Sequence, residues 1–332
     1  MLDIWVPLAG GLVLLVLGGD LLVRGAVRAA AALGVSPLVI GLTLVGFGTS
    51  LPELVTSVQA ALSGAPGIAY GNIVGSNIAN ILLIAGVSAV LFPITVAALA
   101  LRRDAVVMLA AAAIFALLAG AVPIGRGLGA LFLVALAVYL LAAFRQERGG
   151  ANDAAPGAAH GAVYDKGAAL SAVDPALAPA VAAWGGLVRP VVVAVAGLGL
   201  VLVGGVWLVD GAVTLARTLA IPETVIGLTI VAVGTSLPEL VTSVVAALRR
   251  QGDVAFGNVV GSNIYNILGI GGTTALIAPT DVPAEIARFD APLMVAVSLL
   301  LVVFAITGAR IARWEGLVLL AGYGAYVVTI WA

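Results

Sequence analysis

Residues 39–86 read VIGLTLVGFGTSLPELVTSVQAALSGAPGIAYGNIVGSNIANILLIAG, and residues 225–272 read VIGLTIVAVGTSLPELVTSVVAALRRQGDVAFGNVVGSNIYNILGIGG. Aligned without a gap at a shift of 186, roughly 33 of 48 positions are identical, far more than shared apolarity produces. The chain is an internal duplication. The register holds further out, where Gly18-Gly19 meets Gly204-Gly205 and Gly25-Ala26-Val27 meets Gly211-Ala212-Val213.

Around these strings lie 332 residues that are 62% hydrophobic and 9% charged, which excludes a water-soluble globule. At about 20 residues per span, roughly ten helices consume nearly all the apolar sequence. Apolar runs at about 4–29, 36–61, 68–91, 104–121, 127–144, 188–216, 222–248, 255–278, 290–308 and 312–331 give the ten. Asp3 stands where a signal peptide carries a basic region, so the first run is expected to be retained as a helix. A net charge of −1 argues against nucleic acid as a partner, and the absence of cysteine removes disulfides and thiol chemistry. No obligate protein partner is implied. The surrounding partner is the lipid bilayer.

With the N-terminus outside, Arg24, Arg28, Arg102, Arg103, Arg145, Arg148, Lys166, Arg189, Arg249, Arg250, Arg310 and Arg313 fall on the cytoplasmic side. Only Arg126, Arg217 and Arg288 lie opposite, about 12 against 3. Both termini are thus expected to be extracytoplasmic. The expected units are a first five-helix repeat over 1–144, a flexible cytoplasmic linker over 145–187, and a second five-helix repeat over 188–332. The linker holds Asp153, Asp165, Asp174 and His160, too loosely spaced for a calcium loop. Five helices is an odd number, so the second copy enters the membrane from the other side. The fold class expected is an all-α polytopic membrane protein with two inverted repeats, an architecture of secondary transporters.

Polar residues inside the membrane point to the chemistry. Glu53 and Glu239 occupy mid-span positions in GTSLPEL, where a carboxylate costs roughly 2.5–3.5 kcal/mol unless paired, protonated or bound to a cation. No Lys or Arg stands at that depth. Pro52 and Pro238 remove a backbone donor and clash with the carbonyls of Gly48 and Gly234, so each helix is expected to break there. Carbonyls just before the break, those of Gly46 and Ala232 among them, are expected to lose their intrahelical donors and turn towards an ion. Thr49 with Glu53, and Thr235 with Glu239, are i,i+4 neighbours that share a helical face. In the second string Asn72, Ser76 and Asn80 form one stripe, repeated by Asn258, Ser262 and Asn266. Oxygen ligation is preferred for Ser76, Asn80, Ser262 and Asn266, whereas Asn72, Asn77 and their copies read equally as ligands or as helix-packing residues. Oxygen donors alone select hard cations, and calcium takes six to eight of them, so two bidentate glutamates and two carbonyls supply about six.

These paired strings resemble the signature repeats of the Ca2+/cation antiporter superfamily, and of its sodium/calcium exchanger group in particular, in the prokaryotic type. The resemblance implies a ten-helix exchanger of the plasma membrane that carries Ca2+ and Na+ without a cofactor and is not an enzyme. Matched position by position, it implies ion binding by Thr49, Ser50, Glu53, Ser76 and Asn80, and by Thr235, Ser236, Glu239, Ser262 and Asn266, joined by the carbonyls of Gly46 and Ala232. Helices 1 and 6 would slide across a core of helices 2, 3, 7 and 8. Several relatives have Asp where this chain has Asn266, and potassium-dependent members also where it has Asn80, which weighs against potassium co-transport. Proton-coupled relatives carry a histidine beside the motif glutamate, and the absence of one here favours sodium as the coupling ion. An H+/Ca2+ exchanger with the same site is the alternative, and a cation channel ranks below it. An intramembrane hydrolase is excluded because Ser50 and Ser236 have no His or Lys nearby to act as base.

Overall fold

The computed structural model describes residues 2–33, 37–64, 66–98, 100–152, 187–219 and 232–331. His160, Asp153, Asp165, Asp174 and Lys166 of the expected linker lie outside the described residues, and so does 222–231 at the start of the seventh expected helix.

What is described is predominantly helical. Five helices are long and apolar enough to cross a membrane, or six when Leu38–Thr49 and Leu51–Leu62, bent by 45°, count as one broken span. Exposed large apolar side chains line the outside of these and neighbouring helices, among them Leu117, Val134, Val188 and Val328. The interior is closed around Tyr70, Ile73, Ile78, Phe115 and Phe256, all fully buried. Several bounds follow local chemistry. Proline sits in the first turn of Leu51–Leu62, Pro66–Ala79, Leu237–Leu248 and Ala291–Gly308, where its missing N–H costs nothing. One boundary differs from expectation: Arg126–Asn152 continues as helix beyond residue 144. Arg145, Gln146, Glu147 and Arg148 are all strong helix formers, so the helix outlasts its apolar segment.

Equivalent positions of the two copies carry the same irregularities. The helices Leu51–Leu62 and Leu237–Leu248 share their bounds at the 186-residue shift. π-helical turns at Asn80–Ala85 and Ala100–Ala105 recur at Tyr265–Gly271 and Ile286–Asp290. Gly64 adopts a left-handed conformation with φ 73°, and its counterpart Arg250 does so with φ 59° although it bears a Cβ.

The long helices Leu2–Leu33 and Val188–Thr218 pack antiparallel along a seam of glycines spaced by seven. A Cβ on Gly11 would lie 2.8 Å from Gly204 O, one on Gly18 2.8 Å from Gly197 O, and one on Gly211 3.1 Å from Ile4 O. Backbones that close require glycine on both faces. The connections gather at two ends of the bundle. At one, Ile94–Thr95 pairs antiparallel with Arg310–Ile311 and Gly252 abuts Thr95. At the other, Ile124 bridges to Thr280, and Tyr70 Oη donates to Thr280 O at 3.0 Å.

Candidate functional site

The expected helix break is present, and Ser50 is its pivot. Ser50 leaves helical geometry with φ −84° and ψ 8°, and its counterpart Ser236 does so with φ −90° and ψ 6°; Leu51 and Leu237 then open new helices. One expectation needs correcting. Gly46 O has not lost its intrahelical donor, because Ser50 N–H still reaches it at 3.2 Å. Proline 52 denies a donor to the carbonyl four residues before it, which is that of Gly48, so the break falls after Gly46 rather than at it. Ser262 Oγ also lies 3.4 Å from Gly46 O and ties that carbonyl to the second copy. Ala232 opens the four-residue helix Ala232–Thr235 that precedes the equivalent break.

Both glutamates are buried, Glu53 to 1% and Glu239 to 2% exposure. Each is held by the other copy: Ser50 Oγ donates to Glu239 Oε1 at 2.9 Å, and Ser236 Oγ donates to Glu53 Oε1 at 3.2 Å. These two bonds exchange under the 186-residue shift. The i,i+4 pairing of Thr49 with Glu53 is not the contact that forms. Thr49 Oγ1 instead donates back to Val45 O at 3.0 Å and lies 3.4 Å from Asn258 Oδ1, because the break at Ser50 interrupts the shared face.

The asparagines left undecided by sequence separate cleanly. Asn72 Nδ2 donates to Glu53 O at 3.1 Å and to Ser57 Oγ at 2.9 Å; Asn258 Nδ2 repeats this on Glu239 O at 3.2 Å and Ser243 Oγ at 2.8 Å. Their amide groups anchor the backbone at each glutamate. Asn77 Nδ2 donates to Ile73 O at 2.7 Å within its own helix. Asn80 Nδ2 donates to Asn263 Oδ1 at 3.0 Å, across the copies. Ser76 and Ser262 are buried on the same helices as Asn80 and Asn266, and Thr235 stands directly before the second break.

Among the described residues, Glu53 Oε2, Glu239 Oε2, Asn80 Oδ1, Asn266 Oδ1 and Asn77 Oδ1 are buried acceptors without a hydrogen-bond partner. Desolvated oxygen left bare is costly, and natural structures seldom tolerate it without a ligand. No three His, Cys, Asp or Glu side chains come together among the described residues, so the two glutamates supply the carboxylates here.

The sequence profile of the sodium/calcium exchanger proteins matches residues 4–145 and 189–332, both copies of the duplication. The chain belongs to this family. Within the family it is similar to the sodium/calcium exchanger MaX1 of Methanosarcina acetivorans, 38% identical over 352 residues that cover 96% of each chain. It is similar also to the putative antiporter CaxA of Alkalimonas amylolytica, 37% identical over 320 residues and 95% of each chain. In three dimensions it resembles the sodium-calcium exchanger NCX_Mj in a crystal soaked with zero Na+ and Ca2+. That match has a TM-score of 0.81 and 35% sequence identity, and it covers 99% of each chain. The family and its antiporter fold thus agree with the reading of the two strings, and this family member is a multi-pass integral membrane protein.

Proposed function

We propose that this exchanger-family protein is a secondary antiporter that exchanges Na+ for Ca2+ by alternating access. Its ions would be held by Glu53, Glu239, Thr49, Thr235, Ser50, Ser236, Ser76, Ser262, Asn80 and Asn266, with the carbonyls of Gly46 and Ala232. The carrying observation is the set of buried, partnerless oxygens that the two copies contribute in like kind, a glutamate oxygen and an asparagine oxygen from each. Those four, with the second carboxylate oxygens of Glu53 and Glu239, come to about the six donors that calcium requires. Two carboxylates neutralise one Ca2+. Sodium competes for the same oxygens, and a bundle carrying an unneutralised pair of buried carboxylates pays heavily to close, so exchange is coupled.

Ten spanning helices in two inverted five-helix repeats, 1–144 and 188–332, carry the site in this reading. The antiparallel packing of the equivalent helices Leu2–Leu33 and Val188–Thr218 supports the inversion. So does the sorting of connections: 94–95, 252 and 310–311 meet at one end, and 70, 124 and 280 at the other. The arginine count supports a reading in which the first end faces the cytoplasm together with the 145–187 linker, and both termini face outside. With an inward sodium gradient the protein extrudes calcium.

The test uses purified full-length protein in proteoliposomes preloaded with Na+, with uptake of radioactive Ca2+ as the readout. Uptake that requires internal sodium is expected, and Glu53→Gln or Glu239→Gln should abolish it while the protein still assembles. Uptake driven by a pH gradient without sodium replaces the coupling ion with H+. Wild-type flux in both glutamine variants refutes the site.

A further inference from the structure

A carboxamide can offer an ion either its oxygen or its NH2 group, and the two have opposite sign. Asn80 is 1% exposed, so bulk water cannot set its orientation. Its Nδ2 donates to Asn263 Oδ1 at 3.0 Å, and its Oδ1 is left buried and bare. What fixes Asn263 in turn is Met108. Asn263 is fully buried, and its Nδ2 points at Met108 Sδ at 3.5 Å, on the fully buried side chain of a third helix, Val106–Ala119. A thioether sulfur can accept but has no hydrogen to donate. With sulfur on one side, Asn263 must direct its NH2 there and its oxygen towards Asn80. Asn80 must then direct its own NH2 towards Asn263 and its oxygen the other way.

We infer that Asn263 and Met108 are positioning residues that hold the Asn80 carboxamide with its oxygen, not its NH2 group, facing the cation. The inference rests on the proposed ion site and adds a source of selectivity to it. A flipped Asn80 would present two partial positive hydrogens, which penalise a divalent cation more than a monovalent one. The second copy does it differently: Asn77, the counterpart of Asn263, donates to Ile73 O in its own helix. The relay therefore orients one amide of the pair and belongs to the first copy's ligand alone.

Kinetics of sodium-driven Ca2+ uptake by the full chain in proteoliposomes test this, because KM does not depend on how much protein folds. Asn263→Leu removes the acceptor at similar volume and should raise KM for Ca2+ roughly tenfold, the scale of one lost buried hydrogen bond. Asn263→Asp, whose oxygen still accepts from Asn80, should keep KM at or below the wild-type value. In an Asn80→Asp background either side-chain oxygen accepts, so Asn263→Leu should no longer raise KM. Met108→Leu, which changes little volume, should raise KM several-fold and serves where Asn263→Leu does not assemble. Equal KM in wild type, Asn263→Leu and Met108→Leu overturns the inference, as does an equal rise for Leu and Asp at position 263. Glu53→Gln, run in parallel, separates the two levels. Flux that survives it removes the ion site itself, whereas lost flux with an unmoved Asn263→Leu KM removes only the positioning role.

Discussion

Adding one methyl group to Gly197 should part the two long helices. Its Cβ would press on the backbone nitrogen of Leu22 and sit 2.8 Å from Gly18 O, where ordinary contacts begin at 3.4 Å. Both obstacles are backbone, so no side chain can swing aside. The helices Leu2–Leu33 and Val188–Thr218 must separate by at least about half an ångström, loosening the seam that also holds Gly11 against Gly204. Overpacking of this kind costs about 1–3 kcal/mol. Two residues along, a Cβ on Gly199 would meet nothing within 4 Å beyond its own helix backbone among the described residues, so Gly199→Ala adds helix propensity without a clash. It should stabilise by about 0.5–1 kcal/mol. Matched alanine substitutions therefore carry opposite signs and differ by about 1.5–4 kcal/mol, roughly a tenfold to thousandfold change in the folding equilibrium. Thermal unfolding of both variants in detergent, followed by tryptophan fluorescence, measures the difference. Identical midpoints for Gly197→Ala and Gly199→Ala would refute the argument that backbone contact, and not glycine content, holds the seam.

Four further outcomes follow from the geometry. Ser50→Ala and Ser236→Ala should depress Ca2+ uptake to similar extents, because their bonds to Glu239 and Glu53 are reciprocal; a tenfold disparity contradicts that equivalence. Asp104→Ala should destabilise by about 3–5 kcal/mol in chemical denaturation, since it strips a buried two-point pair with Arg103 at 2.6 and 3.1 Å and the Tyr139 hydroxyl at 2.9 Å. Arg250→Gly should stabilise by about 1 kcal/mol through relief of its left-handed backbone, with an unchanged midpoint as the contrary result. If three sodium ions replace one calcium ion, as the family resemblance implies, each cycle moves one net charge. A 100 mV potassium-diffusion potential is then worth about 2.3 kcal/mol and shifts the calcium distribution roughly fiftyfold; electroneutral exchange shows no shift.

The duplication, the predominantly helical fold and the helix break before each buried glutamate were legible because they depend on local sequence. Identity at a fixed shift reveals the repeat, long apolar runs signal helix, and a proline in the middle of one marks a break. What stayed hidden depends on contacts between distant residues. Periodicity along one helix suggested Thr49 as the hydroxyl beside Glu53, but the partner is Ser236, from the other copy. The π-helical turns have no compositional signature, since each needs only one extra backbone residue per turn. The spacing of Asn72 equally permits ligation, and only the position of Glu53 O shows its amide engaged as an anchor. Met108 lies in an ordinary apolar run, with nothing in it to signal that its sulfur faces an amide.

The crossed serine bonds bear on how such a chain could have arisen. A polypeptide ending near residue 144 would contain Glu53 and Ser50, yet each reaches its partner only in a second copy: the serine needs a carboxylate, and the carboxylate a serine. One half folded alone has both pieces and no way to join them. Two identical halves, set in the bilayer head to tail, could satisfy both at once. Covalent linkage of two such halves in one chain fixes a one-to-one pairing that free halves would have to find by collision. The same logic makes the protein a candidate for splitting: residues 1–152 and 187–332, coexpressed as separate chains, hold between them every described contact of the site.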